Sequence, residues 1–230
     1  MARSPRLYVS GCSQHVIQRG NNREACFYIE QDYQVYLNYL KESASKYKVD
    51  VHAFVLMTNH VHLLVTPHNK SSVSRMMQAL GRSYVGYFNR THKRTGTLWE
   101  GRYKSSLVDN EHYLLLVYRY IELNPVRAGM VSHPVEYPWS SYRFNGVGLL
   151  IELISPHEQY LNLGKSIEER QESYRCLFRG HIEEKTLQNI REAANKGWKS
   201  MGSESLVFPI NGVRVIGFTL TRTGTAKKDI

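Results

Sequence analysis

The residues best suited to chemistry are two histidines one position apart, His60 and His62 in Asn59-His60-Val61-His62-Leu63-Leu64-Val65. The apolar run reads as a strand, and side chains at i and i+2 of a strand point to the same face. Two imidazoles therefore converge on one point, where burying polar rings without a purpose is costly. Such a pair is half of a metal site; the plainer alternative is two satisfied histidines at a strand end. A third ligand and a reacting group are offered together by Tyr120-Ile121-Glu122-Leu123-Asn124-Pro125, because residues four apart lie one above the other on a helix. A divalent cation on His60 and His62 would withdraw charge from a phosphodiester, and a tyrosine hydroxyl could then attack phosphorus. Free tyrosine titrates near pH 10, so it needs activation or a protonated leaving group. The product is a covalent phosphotyrosine that keeps the bond energy for rejoining. Cutting and rejoining follows from that; simple hydrolysis does not require it.

The charge points to a polyanion. The 230-residue chain carries a formal net charge of +10, which raises the expectation of a nucleic-acid partner. Residues 1–146 hold 18 Lys/Arg against 10 Asp/Glu, and residues 147–230 hold 12 against 10, so most of the excess travels with the histidines. Between Lys70 and Lys104 the only acidic residue is Glu100, and Tyr84, Tyr87, Phe88, Trp99 and Tyr103 are interleaved with the bases, as stacking on unpaired bases would need. A solvated basic face over core aromatics is the alternative. No run approaches the roughly 20 apolar residues of a membrane span, and Met1 to Gly11 does not resemble a signal peptide. A cytoplasmic protein without membrane contact is expected. Three widely spaced cysteines suggest neither a disulfide framework nor a thiolate zinc site.

These side chains need elements to position them. Val9 to Gly20 reads as a strand ending in the turn Gly20-Asn21-Asn22-Arg23. Tyr33, Tyr36, Leu37, Leu40, Ala44 and Tyr47 have helical spacing. Val51–Met57 and His60–Thr66 are two β-rich runs joined by Thr58-Asn59, a hairpin-length connection. A second amphipathic helix spans about Ser72 to Asn89, with Met76 and Met77 as core filler. A fourth strand, Tyr103–Val108, precedes a helix from about Asn110 to Leu123, which Pro125 is expected to stop. The order is that of a ferredoxin-like βαββαβ α+β plan, an antiparallel sheet with helices on one face, plus one added helix carrying Tyr120. Residues 1–146 are read as one domain. Residues 147–230 are read as a helical extension, helical and polar over 157–197, with a poorly ordered end.

Four segments carry a family resemblance: His15-Val16-Ile17-Gln18-Arg19-Gly20-Asn21-Asn22-Arg23, Leu56 to Val65, Gly101-Arg102-Tyr103-Lys104-Ser105, and Tyr120 to Gly129. In this order and spacing, over roughly residues 8–145, they resemble the HUH single-tyrosine transposases and, more closely, the REP-associated tyrosine transposases of bacteria. The resemblance implies that His60 and His62 are metal ligands, that Tyr120 is the nucleophile, and that Asn124 completes the metal site through its side-chain oxygen. It implies Mg²⁺ or Mn²⁺, a single-stranded DNA hairpin as substrate, and a 5′-phosphotyrosine with a free 3′-OH. Two imidazoles suit Mn²⁺ or Zn²⁺ better than Mg²⁺. Relatives act both as homodimers and as monomers, and both stay open.

On periodicity alone Tyr113, Tyr118 and Tyr120 are equivalent; only the Tyr-x-x-x-Asn spacing selects Tyr120. Arg19, Arg102 and Lys104 lie beside the matched motifs and are read as DNA phosphate contacts. Glu122 is expected to pair with Arg119 or Arg127. His15, His52, His68 and His92 are read as ordinary polar or core residues and assigned no metal. Two rivals remain: a domesticated protein that binds hairpin DNA without cutting, and a metal-dependent hydrolytic nuclease.

Overall fold

The structure is a computed structural model that describes residues 9–108, 111–180, 182–196, 208–210 and 213–215. Four strands, β1 (Ser13–Arg19), β2 (Val49–Met57), β3 (His60–Pro67) and β4 (Lys104–Val108), form one sheet in the order β2-β3-β1-β4. Every neighbouring pair is antiparallel. Helix α1 (Glu30–Tyr47) links β1 to β2, and α2 (Ser72–Thr91) links β3 to β4. This is the expected βαββαβ plan with both central strands, β1 and β3, supplied by the matched motifs.

Strand alternation divides the sheet's residues between two cores. Val16, Phe54, Leu56, Val61, Leu63 and Val65 pack against α1 and α2 through Tyr36, Leu40, Met76, Leu80, Tyr84 and Phe88. Met76 and Met77 are buried there, as filler would be. Ala53, Val55, Met57, Leu64 and Val108 turn to the opposite face. Helices α1 and α2 thus share one face, as expected, and the added helix takes the other. Helix α3 (Glu111–Glu122) covers the second face, because its apolar stripe of Leu114, Val117, Tyr118 and Ile121 meets the second set of strand residues.

Helix α3 stops at Glu122, ahead of Pro125 as expected, but the helical path resumes at once. A further turn, α4 (Asn124–Arg127), follows directly, with Pro125 in its first turn, where a missing N–H is tolerated. Carbonyls left open at the end of α3 are met by side chains: Asn124 Nδ2 donates to Tyr120 O at 2.9 Å and to Ile121 O at 3.3 Å, and Arg127 donates to Tyr120 O at 2.6 Å.

Among the described residues beyond 141 come helices α5 (Tyr142–Val147), α6 (Glu158–Leu161), α7 (Ile167–Leu177) and α8 (Glu184–Lys196). They are less purely polar than expected, since Tyr142, Tyr160, Tyr174, Leu187 and Ile190 are buried in the α3 core. Two short strands, β5 (Phe208–Ile210) and β6 (Val213–Val215), pair antiparallel where only a poorly ordered end was expected. The rest of that end, residues 197–207, 211–212 and 216–230, lies outside the described residues. Among the described residues no helix is long and apolar enough to cross a membrane.

Candidate active site

His60 and His62 sit at the start of β3, opposite Arg19 and Ile17 of β1, on the sheet face that α3 covers. Their ring centroids are 5.0 Å apart at an interplanar angle of 79°. Burial, then the charge of Arg19, pushes His60 down to about pH 4. Burial also holds His62 well below the usual imidazole range, assisted by His15, His60, Arg127 and Arg19. Both rings are therefore neutral at physiological pH, the form that can donate a lone pair to a cation.

Each ring has one nitrogen engaged. His60 Nδ1 lies 2.7 Å from Asn59 Oδ1, and His62 Nδ1 lies 2.9 Å from His15 Nε2. Asn59 Nδ2 in turn donates to Arg23 O at 3.0 Å. Arg23 and Asn22 have φ of 60° and 52°, a left-handed conformation uncommon for such residues and often retained at functional sites. The turn is drawn in by Gly20, whose N–H donates to Asn59 O at 2.8 Å. A Cβ at Gly20 would sit 2.2 Å from Glu24 O, so only glycine allows this approach.

Helix α3 brings Tyr120 edge-on to both His62 and His15, at centroid distances of 5.6 and 5.7 Å. Its ring therefore stands against two of the site's imidazoles. Tyr118 is fully buried and packs edge-on against Tyr174 instead. Burial holds the Tyr113 phenol above its ordinary range. The Arg127 guanidinium lies 4.5 Å from the Tyr120 ring centroid, and its Nη1 is buried without a hydrogen-bond partner.

Asn124 follows Tyr120 by one turn, as expected, and its amide N–H groups serve the helix carbonyls Tyr120 O and Ile121 O. Its Oδ1 is thus the end left for another partner. The donor set fits a weakly held divalent cation: two neutral imidazoles, each with Nε2 available, and one amide oxygen. Among the described residues no group of three or more His, Cys, Asp or Glu is placed to hold a metal ion, so remaining positions would fall to Asn124, water or substrate oxygen.

Glu122 departs from expectation. Instead of pairing with Arg119 or Arg127, it is fully buried and accepts hydrogen bonds from Ser141 Oγ at 2.5 Å, Asn145 Nδ2 at 2.8 Å and Tyr174 Oη at 2.7 Å. Burial lifts its carboxyl to about pH 7 against the pull of those donors. It ties α3 to α5 and α7. Arg19, Arg102 and Lys104 are all exposed. Arg19 pairs with His60 across the sheet, and Lys104 pairs with Ile17 on the other side of β1.

Residues that sequence reasoning left aside are His15, Asn59 and Arg127. His15 and Asn59 hold the two ligand-capable rings, and Arg127 returns to the Tyr120 ring through the α4 turn. A signal for Arg127 existed in its spacing, two helical turns beyond Tyr120.

Comparison with known proteins places the chain in a family. The family model for IS200-like transposases matches residues 8–124, just over half of the chain. The chain belongs to the IS200-like transposase family. No curated protein matches this transposase. Among solved structures, the REP-associated tyrosine transposase bound to a REP hairpin shares its fold, with a TM-score of 0.53 and 17% identity over 68% of this chain and 99% of that one. A Deinococcus radiodurans protein provisionally called a transposase matches at a TM-score of 0.38 and 24% identity, over 53% of this chain and 96% of that one.

Proposed function

We propose that this transposase cleaves and rejoins single-stranded hairpin DNA through a 5′-phosphotyrosine on Tyr120, with His60, His62 and Asn124 holding Mg²⁺ or Mn²⁺. The observation that carries the reading is the edge-on contact of Tyr120 with His62 at 5.6 Å, beside His60, which sets a nucleophile next to two ligand-capable imidazoles. The hairpin class is supported by the shared fold with a transposase bound to a REP hairpin.

A divalent cation bound there would withdraw charge from the nonbridging oxygens of the scissile phosphate. The chain's own groups do the rest. Tyr120 Oη attacks phosphorus and its proton passes to solvent. The P–O3′ bond breaks, the departing oxygen takes up a proton to become a 3′-OH, and the 5′ side stays on Tyr120 as a phosphodiester. An incoming 3′-OH reverses the step and joins a new strand. The Arg127 guanidinium sits over the Tyr120 ring, and its unpartnered Nη1 is a donor for a phosphate oxygen. Arg19, Arg102 and Lys104 guide the backbone. His60, His62, Tyr120 and Asn124 all belong to one chain, so a monomer suffices for the first cut. In this reading residues 1–146 are the catalytic domain, and residues 147–230 are an extension that steadies α3 through the bond from Tyr174 to Glu122.

The test is incubation of wild type and Tyr120→Phe with labelled hairpin oligonucleotides carrying single-stranded flanks, with Mg²⁺ or Mn²⁺, followed by a denaturing gel. A covalent protein–DNA band in wild type alone is expected. Cleavage that survives in Tyr120→Phe removes Tyr120 as nucleophile and favours a hydrolytic nuclease. Tight binding with no cleavage by either protein makes this a non-cleaving hairpin binder.

A further inference from the structure

We propose that His15 is a positioning residue for His62: its Nε2 accepts the His62 Nδ1 proton, and the buried hydroxyl of Ser106 receives the proton on His15 Nδ1. This rests on the reading of His60 and His62 as cation ligands.

The two ligand-capable histidines differ in how their protons are placed. His60 Nδ1 faces the side-chain oxygen of Asn59, whose nitrogen is already used on Arg23 O. An amide oxygen only accepts, so His60 carries its proton on Nδ1 and its Nε2 is bare. His62 Nδ1 faces a second imidazole instead, His15 Nε2 at 2.9 Å, with the two rings stacked at 16°. One proton occupies that contact, and either ring can supply it. Only donation by His62 leaves His62 Nε2 bare for a cation.

What decides between the two lies on the far side of His15. When His15 Nε2 accepts, its own proton sits on Nδ1, and Nδ1 is buried with no hydrogen-bond partner. Across the sheet His15 is directly opposed to Ser106 of β4, and Ser106 Oγ is also buried with no partner. Two orphaned polar atoms on opposed residues of one sheet face are unusual in a folded protein. Directly opposed side chains in an antiparallel pair are close enough to interact. Ser106 Oγ makes no bond to Nδ1 in its present rotamer, and a turn about χ1 brings it to accept from Nδ1–H. The chain Ser106, His15, His62 thus sets the tautomer that frees His62 Nε2, the role a carboxylate or carbonyl plays behind many metal-bound histidines.

The test uses the full chain without DNA and Mn²⁺ as probe, with free Mn²⁺ read by electron paramagnetic resonance. His15→Phe keeps a ring against Tyr120 but has no acceptor; His15→Gln offers an amide oxygen. Mn²⁺ binding is expected to weaken about 10- to 100-fold in His15→Phe and to stay near wild type in His15→Gln. In ¹⁵N spectra of the wild type with Zn²⁺, His62 should carry its proton on Nδ1. Wild-type affinity in folded His15→Phe overturns the proposal, as does equal weakening in both variants. If His15→Phe does not fold, the tautomer of His62 in the wild type decides alone, and a bare Nδ1 overturns it. His62→Ala separates the two readings. If it binds Mn²⁺ as wild type does, the cation site itself is wrong and this proposal falls with it; if it loses Mn²⁺ while His15→Phe does not, only the role of His15 is wrong.

Discussion

Replacing His52 with glutamine should make the protein less sensitive to acid. The residue occupies the irregularity in β2, where the register to β3 shifts between Val51 and Ala53, and it is 3% exposed. Its Nδ1 donates to Ser155 O at 2.6 Å, and its Nε2 lies 2.8 Å from Thr66 Oγ1. Both nitrogens are satisfied in the neutral ring. Burial is the chief reason that it is pushed down from 6.5 to about 4. Because the folded value lies below the unfolded one, the unfolded chain takes up the proton first, and stability is lost as pH falls from 6.5 towards 4. Each pH unit in that window is worth about 1.4 kcal/mol, so by pH 5 the wild type should have lost about 2 kcal/mol through this residue. Glutamine cannot titrate; its variant carries a constant offset of about 1 kcal/mol for an altered hydrogen bond. Urea unfolding of both proteins at pH 7.5, 6 and 5 measures the gap, which should narrow or reverse by about 2 kcal/mol. Parallel loss of stability in the two proteins across that range would refute the assignment of acid sensitivity to His52.

Two further perturbations probe the anchoring of α3 and the path of the DNA. Tyr174→Phe removes one donor from the buried Glu122 carboxyl and should cost about 2 kcal/mol, a fall of roughly 4–8 °C in Tm; an unchanged melting curve would mean that this network does not hold α3. Arg19→Ala, Arg102→Ala and Lys104→Ala should each lower the slope of log affinity against log salt for single-stranded DNA by about 0.7, and unaltered slopes would place the DNA elsewhere.

Elements with strong local periodicity were legible from the sequence: the four sheet strands, α1, α2 and α3 all lie where alternation and helical spacing put them. The same alternation put His60 and His62 on one face, and the rings do converge. What the sequence hid is non-local. His15 looked like one more strand histidine because its contact with His62 spans 47 residues and depends on the register between β1 and β3, which no window of sequence reports. Glu122 resembled a surface charge because its three donors come from segments 19 to 52 residues further on. Pro125 does follow the end of α3, but the renewed turn α4 was not legible, because it rests on Asn124 and Arg127 supplying donors to the open carbonyls.

The pairing of β1 with β3, Arg19 opposite His60 and Ile17 opposite His62, gives the site a parity. An insertion or deletion of one residue within either strand exchanges odd for even positions and sends the imidazoles into the α1/α2 core. A change of two residues restores the face but displaces the strand by about 6.6 Å, beyond the reach of the bond between His15 and His62. Length changes inside these two strands are thus eliminated whatever their composition, whereas substitutions are judged one side chain at a time. Descendants that have abandoned cleavage but still need the folded scaffold should therefore keep the lengths of β1 and β3 long after their histidines have drifted.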